Sequence, residues 1–419
     1  MYMVNTSTAM QDDVVVPRVS RRRWLIAAVL FLAVLSAFFD RISIAMLFTD
    51  PSFQNAMGNG FNATRLGLLM TVFVFAYGVS GVVLGFAGDW IGPKWSLAIG
   101  AVIWGVSMLM MGLTSSFAAM LVYRVLLGLA EGPQFSMTNA LVKQWFPPRE
   151  QARANAMWLV GSPLGSAIGF ALTISLVSAH GWRSSFYFYA ALNLLVILPL
   201  VLLFVRDKPD VPVTEEIAQE QKVDTPYLHR VKQFITNWRF WSLTMFNTFG
   251  LIYLWGLNSW LPSYLVRYRH FDLHKSGVYA WLPFLTMFFG MALSSWISDR
   301  IGRRAIVSSF AFLFAGISMS LVIIVPGANT AALAIAASSF FWGAGMPPQF
   351  AIAQRILPPG TVSAGIGVHN GVGNIIAAFS PVVIGALINS TGSFNVGLSV
   401  LPAAAFIGAG FMALLARRY

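Results

Sequence analysis

Twelve stretches of this chain are apolar over the length of a bilayer crossing, and no soluble fold accommodates that pattern. A helix needs about 20 apolar residues to span hydrocarbon. Runs of that kind fall at 24–48, 66–85, 95–113, 118–144, 154–178, 186–205, 241–264, 277–297, 306–325, 331–356, 362–388 and 396–416. Of the 419 residues, 57% are hydrophobic and 10% charged, more apolar surface than one soluble core hides. The pattern predicts an all-α integral membrane protein with twelve transmembrane helices.

A net charge of +12 would suggest nucleic acid in a soluble chain, but here the basic residues sort by loop. Twenty of the 27 Lys and Arg residues lie in loops on the side of the N-terminus, five in the opposite loops and two inside spans. The positive-inside rule then places both termini in the cytoplasm, and no nucleic-acid partner is needed. Arg21, Arg22 and Arg23 resemble the basic start of a signal peptide, yet the following run is too long and lacks a small-residue cleavage site. It reads as an uncleaved first helix, which fits a bacterial inner membrane. Trp24, Trp145, Trp241, Trp260 and Tyr419, near segment ends, read as interfacial anchors.

Enzymatic readings find no foothold. Cysteine is absent, so disulfide and thiolate-metal chemistry are excluded. No Walker loop, nucleophile elbow or His-Glu-x-x-His occurs, and neither metal nor organic cofactor is expected.

Four ionisable residues sit at bilayer depth: Asp40 and Arg41 in the first span, Arg124 and Glu131 in the fourth. Each such charge costs about 2.5–3.5 kcal/mol on insertion scales unless a partner or watery cavity receives it. Arg124 and Glu131 are seven residues apart, so they share a helix face about 10 Å apart along the axis and need partners from elsewhere. Asp40 and Arg41, splayed by about 100°, offer opposite charges to them. One charge can then turn toward Arg124 and the other toward Glu131 or the cavity; with nothing bound, the expected pairing is Arg41 with Glu131, and Asp40 with Arg124.

A polar segment rich in Glu, Gln and Pro follows the sixth span and divides the chain. The resulting layout is a tail (1–23), a six-helix bundle (24–205), a cytoplasmic linker (206–240), a second six-helix bundle (241–416) and a short C-terminal end (417–419). A repeat supports the division. Gly85-Phe-Ala-Gly-Asp89-Trp-Ile-Gly92-Pro-Lys94 follows the second span, and Ser295-Trp-Ile-Ser-Asp299-Arg300-Ile-Gly302-Arg303-Arg304 follows the eighth. Glycine supplies the freedom a tight turn demands, and the Asp is placed to accept from amides at a helix N-terminus.

At these residues the chain resembles the major facilitator superfamily, whose loop between helices two and three carries this motif. The resemblance implies two pseudo-repeat bundles rocking about a midplane site. Gly85, Asp89, Gly92, Lys94, Asp299, Arg300, Gly302 and Arg303 would form the gating motif. Phe39-Asp40-Arg41 and Tyr123-Arg124-Val-Leu-Leu-Gly128-Leu-Ala-Glu131-Gly-Pro133 further resemble the anion:cation symporter family, which includes permeases for sugar acids, tartrate, phthalate and hydroxyphenylacetate. That resemblance implies Arg41 as the holder of a small organic anion, Asp40 and Glu131 as proton sites, and Arg124 as a charge-pair partner. An incoming carboxylate would displace Glu131 from Arg41, and the acid left in poor solvent would take up a proton. The proton is thus the coupling ion, and the chain is expected to work as a monomer in the lipid bilayer.

By the same resemblance Tyr77, Ser162, Asn247 and Asn370 line the pocket, and Asn374 shares a helix face with Asn370. Phe38 stands where sugar-acid members commonly have Tyr. Ser162 and Asn247 stand where Gln is common. Fewer long hydrogen-bonding groups favour a less hydroxylated aliphatic or aromatic carboxylate, because unpaired polar groups are costly to bury. His369 lies alone within a span and either titrates or packs. Two alternatives stand beside anion symport: a proton-coupled drug or cation antiporter, faintly signalled by Gly161-x-Pro163-x-Gly165, and a non-transporting membrane sensor.

Overall fold

The computed structural model describes residues 22–58, 60–84, 91–207, 226–271, 273–358 and 361–419, and among these the secondary structure is helical. Gly85 and Asp89 lie outside the described residues, as does the side chain of Asp299. Nine of the described helices are long and apolar enough to cross a membrane. Helices also occupy the other three predicted spans, and each departs from a plain apolar rod for a visible reason.

The first half comprises α1 (Arg22–Leu47), α2 (Ala63–Val83), α3 (Pro93–Leu113), α4 (Phe117–Glu131), α5 (Gly161–His180) and α6 (Trp182–Phe204). The second comprises α7 (Trp238–Ser263), α8 (Leu273–Ile301), α9 (Arg304–Ile324), α10 (Ala328–Gly345), α11 (Val362–Ala377) and α12 (Val400–Ala413). In the fourth predicted span, Gly132-Pro133 ends α4 and a second helix, Gln134–Trp145, resumes at once. Pro347-Pro348 divides the tenth in the same way, with Pro347–Ile356 following α10. Proline removes an amide donor and clashes one turn back, so each break is written in the sequence. The seventh is continuous but carries Thr244, Asn247 and Asn258 on its buried surface, which lowers its hydropathy. Part of the predicted linker is itself helical, at Tyr227–Ile235.

Long apolar side chains remain exposed along the outer helices, among them Leu195, Leu203, Phe289, Trp296, Phe310 and Ile324. Such a surface is expected to meet acyl chains. Two of the expected interfacial anchors are instead interior. Trp145 is buried and its indole donates to the Arg206 carbonyl at 2.8 Å; Trp260 is buried and donates to the Pro381 carbonyl at 2.9 Å. A tryptophan near a span end satisfies its N–H equally well against a neighbouring helix's carbonyl.

The halves meet where α2 packs on α11, α5 on α8 and α1 on α7. Near the end of the bundle away from the start of α1 the halves approach backbone to backbone: a Cβ on Gly67 would lie 2.5 Å from the Pro381 carbonyl oxygen. At that end Arg267 donates to Gln54 Oε1 at 2.7 Å and stands 3.9 Å from the centre of the Phe61 ring. At the other end the two turn glycines behave as the motif requires, with φ of +83° at Gly92 and +72° at Gly302.

Candidate functional site

The buried charges gather inside the first half, on α1 and at the broken end of α4. Arg41 is 2% exposed and Glu131 0%. Arg41 Nε donates to Glu131 Oε2 at 2.5 Å, and its Nη2 donates to Gln134 Oε1 at 3.3 Å. Around the guanidinium stand three aromatic rings, with centroids 4.6 Å away for Phe38, 4.7 Å for Tyr77 and 5.7 Å for Phe135. Ring faces favour a cation without neutralising it. Glu131 Oε1, by contrast, has no hydrogen-bond partner among the described residues.

Asp40 and Arg124 do not form the predicted side-chain pair. Asp40 turns toward α6, where Oδ2 accepts from Asn193 Nδ2 at 2.7 Å. Asn193 Oδ1 in turn accepts from Ser36 at 2.9 Å, and Asp40 Oδ1 has no partner among the described residues. Arg124 donates to main-chain oxygens instead, Leu69 at 3.1 Å and Asp40 at 3.5 Å, and to Met70 Sδ at 3.0 Å. It also covers the Phe73 ring at 4.4 Å. A helical carbonyl keeps a second lone pair for such a donor, so Arg124 ties α4 to α1 and α2 without needing a carboxylate.

Gln134 and Asn193 escaped the sequence reading. Gln134 opens the helix after the Gly132-Pro133 break, and it anchors itself by donating to the Ala33 carbonyl at 3.0 Å. Asn193 lies in a π-helical turn, Leu192–Ile197, inside α6. Wide turns of this kind often mark functional positions. A signal existed for each: Gln134 is one turn past Glu131, and Asn193 is the one amide in its apolar run.

Among the described residues the second half contributes amides, a hydroxyl and an imidazole, and no buried Asp, Glu, Lys or Arg. Asn247 Nδ2 donates to the His369 carbonyl at 3.3 Å, and Gln349 Nε2 donates to Asn247 Oδ1 at 3.3 Å. Thr244 Oγ1 is 3.2 Å from His369 Nδ1. Deeper along α11, Asn374 accepts from the Trp255 indole at 3.0 Å and donates to the Asn370 carbonyl at 2.9 Å. The clusters adjoin across α2. Phe73 meets Trp255 edge-on at 6.3 Å, and a Cβ on Gly78 would lie 3.2 Å from Asn374 Cβ.

Ser162 is not drawn into this network; its hydroxyl donates at 3.0 Å to the carbonyl of Leu159, the last residue of the helix before α5. The described part of the gating motif lies apart. There the Lys94 amide donates to Asp207 Oδ1 at 2.7 Å, so the carboxylate just after α6 caps the N-terminus of α3. Arg300 packs over Trp296 at 5.1 Å, and Arg303 is exposed.

Long apolar helices enclosing a charged and hydrogen-bonded interior define a membrane transport protein rather than an enzyme. The sequence profile of the Major Facilitator Superfamily matches residues 30–381, and the chain belongs to that family. Among curated relatives, the probable sulfoacetate transporter SauU of Cupriavidus necator is 29% identical over 412 residues, spanning 94% of each chain. The hexuronate transporter of Bacillus subtilis is 26% identical over 404 residues, 92% of this chain and 91% of that one. The crystal structure of a D-xylose-proton symporter shares the fold with a TM-score of 0.77 at 14% identity, over 93% of this chain and 97% of that one.

Proposed function

We propose that this protein is a proton-coupled symporter of a small organic anion, with Arg41 as the anion's counter-charge and Glu131 as the coupling acid. The observation that carries this reading is the Arg41–Glu131 pair, closed off from solvent and held by one carboxylate oxygen while the other lacks a partner among the described residues. A pair built only to join helices is expected to satisfy both oxygens, because a half-satisfied buried carboxylate is expensive. The substrate's carboxylate competes with Glu131 for the guanidinium. Losing its cation in poor solvent, Glu131 binds a proton. The loaded interior then carries no more net charge than the empty one, which lets the bundles rock around it.

The relatives support the cargo class, since the names of two of them specify an organic acid. Asp40, with one oxygen on Asn193 and the other without a partner among the described residues, is the second proton site. The basic loops argue for cytoplasmic termini in a bacterial inner membrane.

The test is uptake by proteoliposomes under an imposed inward proton gradient. Accumulation of a carboxylate that disappears in Arg41→Gln is the expected result. Efflux of a cationic dye, or carboxylate accumulation that survives Arg41→Gln, would overturn the assignment.

A further inference from the structure

Both broken helices restart on the same three residues: Pro133-Gln134-Phe135 after α4 and Pro348-Gln349-Phe350 after α10. In the first half the glutamine's oxygen accepts from Arg41 at 3.3 Å and the phenylalanine faces the guanidinium. In the second half Phe350 faces the His369 ring, with centroids 6.5 Å apart, but Gln349 Oε1 has no donor among the described residues.

The orientation of that oxygen is fixed by its neighbours. The His369 carbonyl only accepts, so Asn247 must present its NH2 group there, at 3.3 Å. Its oxygen then faces Gln349, which must answer with its own NH2, also at 3.3 Å. Flipping either amide would set oxygen against oxygen. Gln349 Oε1 is therefore left over as an acceptor, in a side chain that is 0% exposed.

The same accounting fixes the imidazole. Thr244 has one hydroxyl proton and donates it to the Phe240 carbonyl at 2.9 Å. It must then accept from His369 Nδ1, 3.2 Å away, which leaves Nε2 of the neutral ring as a bare lone pair. That atom also lacks a partner among the described residues, and the ring is 1% exposed, framed by Phe240 and Phe350.

We infer that Gln349 Oε1 and His369 Nε2 form a second recognition point, which only accepts hydrogen bonds and so selects an acid carrying a hydroxyl or N–H donor away from its anionic end. Two lone pairs repel a second oxyanion and gain nothing from a methyl group, so dicarboxylates and plain alkanoates are disfavoured. This rests on the reading of Arg41 as the anion's partner. It also reverses the expectation of a less hydroxylated cargo drawn from Phe38, Ser162 and Asn247, because the polar groups missing at those positions are supplied from α11 and the helix after α10.

The test measures binding of three straight-chain acids of equal length to the purified full chain: an ω-hydroxycarboxylate, the alkanoate and the dicarboxylate. At several chain lengths the best hydroxy acid is expected to bind about tenfold or more tighter than its two counterparts, since a site built to receive a hydroxyl discriminates strongly against analogues lacking it. Gln349→Met and His369→Phe each erase that ratio, bringing the hydroxy acid level with the alkanoate measured on the same variant. His369→Gln, which keeps a donor and an acceptor, retains part of it. Equal affinities for the three acids in the unaltered protein overturn the proposal, and that measurement needs no variant to fold. A preference surviving either Gln349→Met or His369→Phe overturns it too. Arg41→Gln separates the two readings: binding that survives it refutes Arg41 as the anion holder, whereas binding lost there but indifferent to the hydroxyl refutes the second recognition point alone.

Discussion

Replacing Glu131 by Gln removes the charge that Arg41 is paired with and keeps the shape. In the structure that charge acts through one contact, Arg41 Nε to Glu131 Oε2, with Gln134 as a weaker second acceptor and three rings around the cation. Breaking a buried pair typically costs about 3–5 kcal/mol of stability because the surviving charge is left uncompensated. Glutamine still accepts a hydrogen bond and the rings still favour the cation, so the loss falls toward the lower end of that range. An external carboxylate recovers it. A hydrogen bond to a charged group is worth about 1.5–3 kcal/mol, and about 1.4 kcal/mol corresponds to a factor of ten. Glu131→Gln is therefore expected to melt lower than the unaltered protein without ligand, yet to bind carboxylates about ten- to a hundred-fold tighter.

Transport separates these effects from simple damage. Without an acid to protonate, Glu131→Gln liposomes exchange labelled for unlabelled anion but do not accumulate it against an imposed proton gradient. Both arms are read on one preparation, so exchange serves as the control for folding. Accumulation at the unaltered rate, or carboxylate affinity below that of the unaltered protein, would refute the competition between substrate and Glu131.

Three other perturbations probe the surrounding contacts. Arg124→Lys loses the fork that reaches Leu69, Asp40 and Met70, and is expected to cost about 1–3 kcal/mol of stability, read by thermal melting, with no change in the rank order of acids bound. Asn193→Leu strips Asp40 of its hydrogen bond; proton-driven uptake should fall severalfold while exchange of anion is spared, as compared in the same liposomes. Arg267→Ala removes the tie to Gln54 and Phe61 between the halves. Because the chain has no cysteine, a single Phe61→Cys reporter, which itself gives up the ring contact and leaves the Gln54 tie, is expected to label severalfold faster with a membrane-impermeant thiol reagent once Arg267→Ala removes that tie.

What the sequence discloses follows from how costly a residue is at its place. Asp40, Arg41, Arg124 and Glu131 stand out because a charge at bilayer depth is improbable without a use. Gly92 and Gly302 stand out because each recurs at the same place in the repeat and its turn holds a positive φ, which glycine adopts without strain. Arg124's partners were hidden, since main-chain oxygens leave no mark in a side-chain sequence. Gln134, Asn193 and Gln349 were hidden for another reason: one amide in an apolar run reads equally as glue between helices. Their roles depend on the proline breaks and on the π-turn, which set where each amide points. Trp145 and Trp260 misled because an indole near a span end suits lipid headgroups and a buried carbonyl alike.

The distribution of charge bears on how occupancy could drive rocking. Asp40, Arg41, Arg124 and Glu131 all belong to the first half, so the proposed exchange, anion at Arg41 and proton at Glu131, would require no change in how the halves sit. The second half meets that chemistry through neutral groups, at Phe73 with Trp255 and at Gly78 with Asn374. A cargo held only by Arg41 would leave those contacts indifferent to its presence. One that also reaches Gln349 and His369 spans both halves, and its binding energy then differs between arrangements that hold the halves together and arrangements that part them. A ligand shifts a conformational equilibrium only by such a difference. The acceptor pair in the second half is thus the feature that would convert anion binding into movement, and acids lacking the donor should bind, when they bind, as poor substrates for transport.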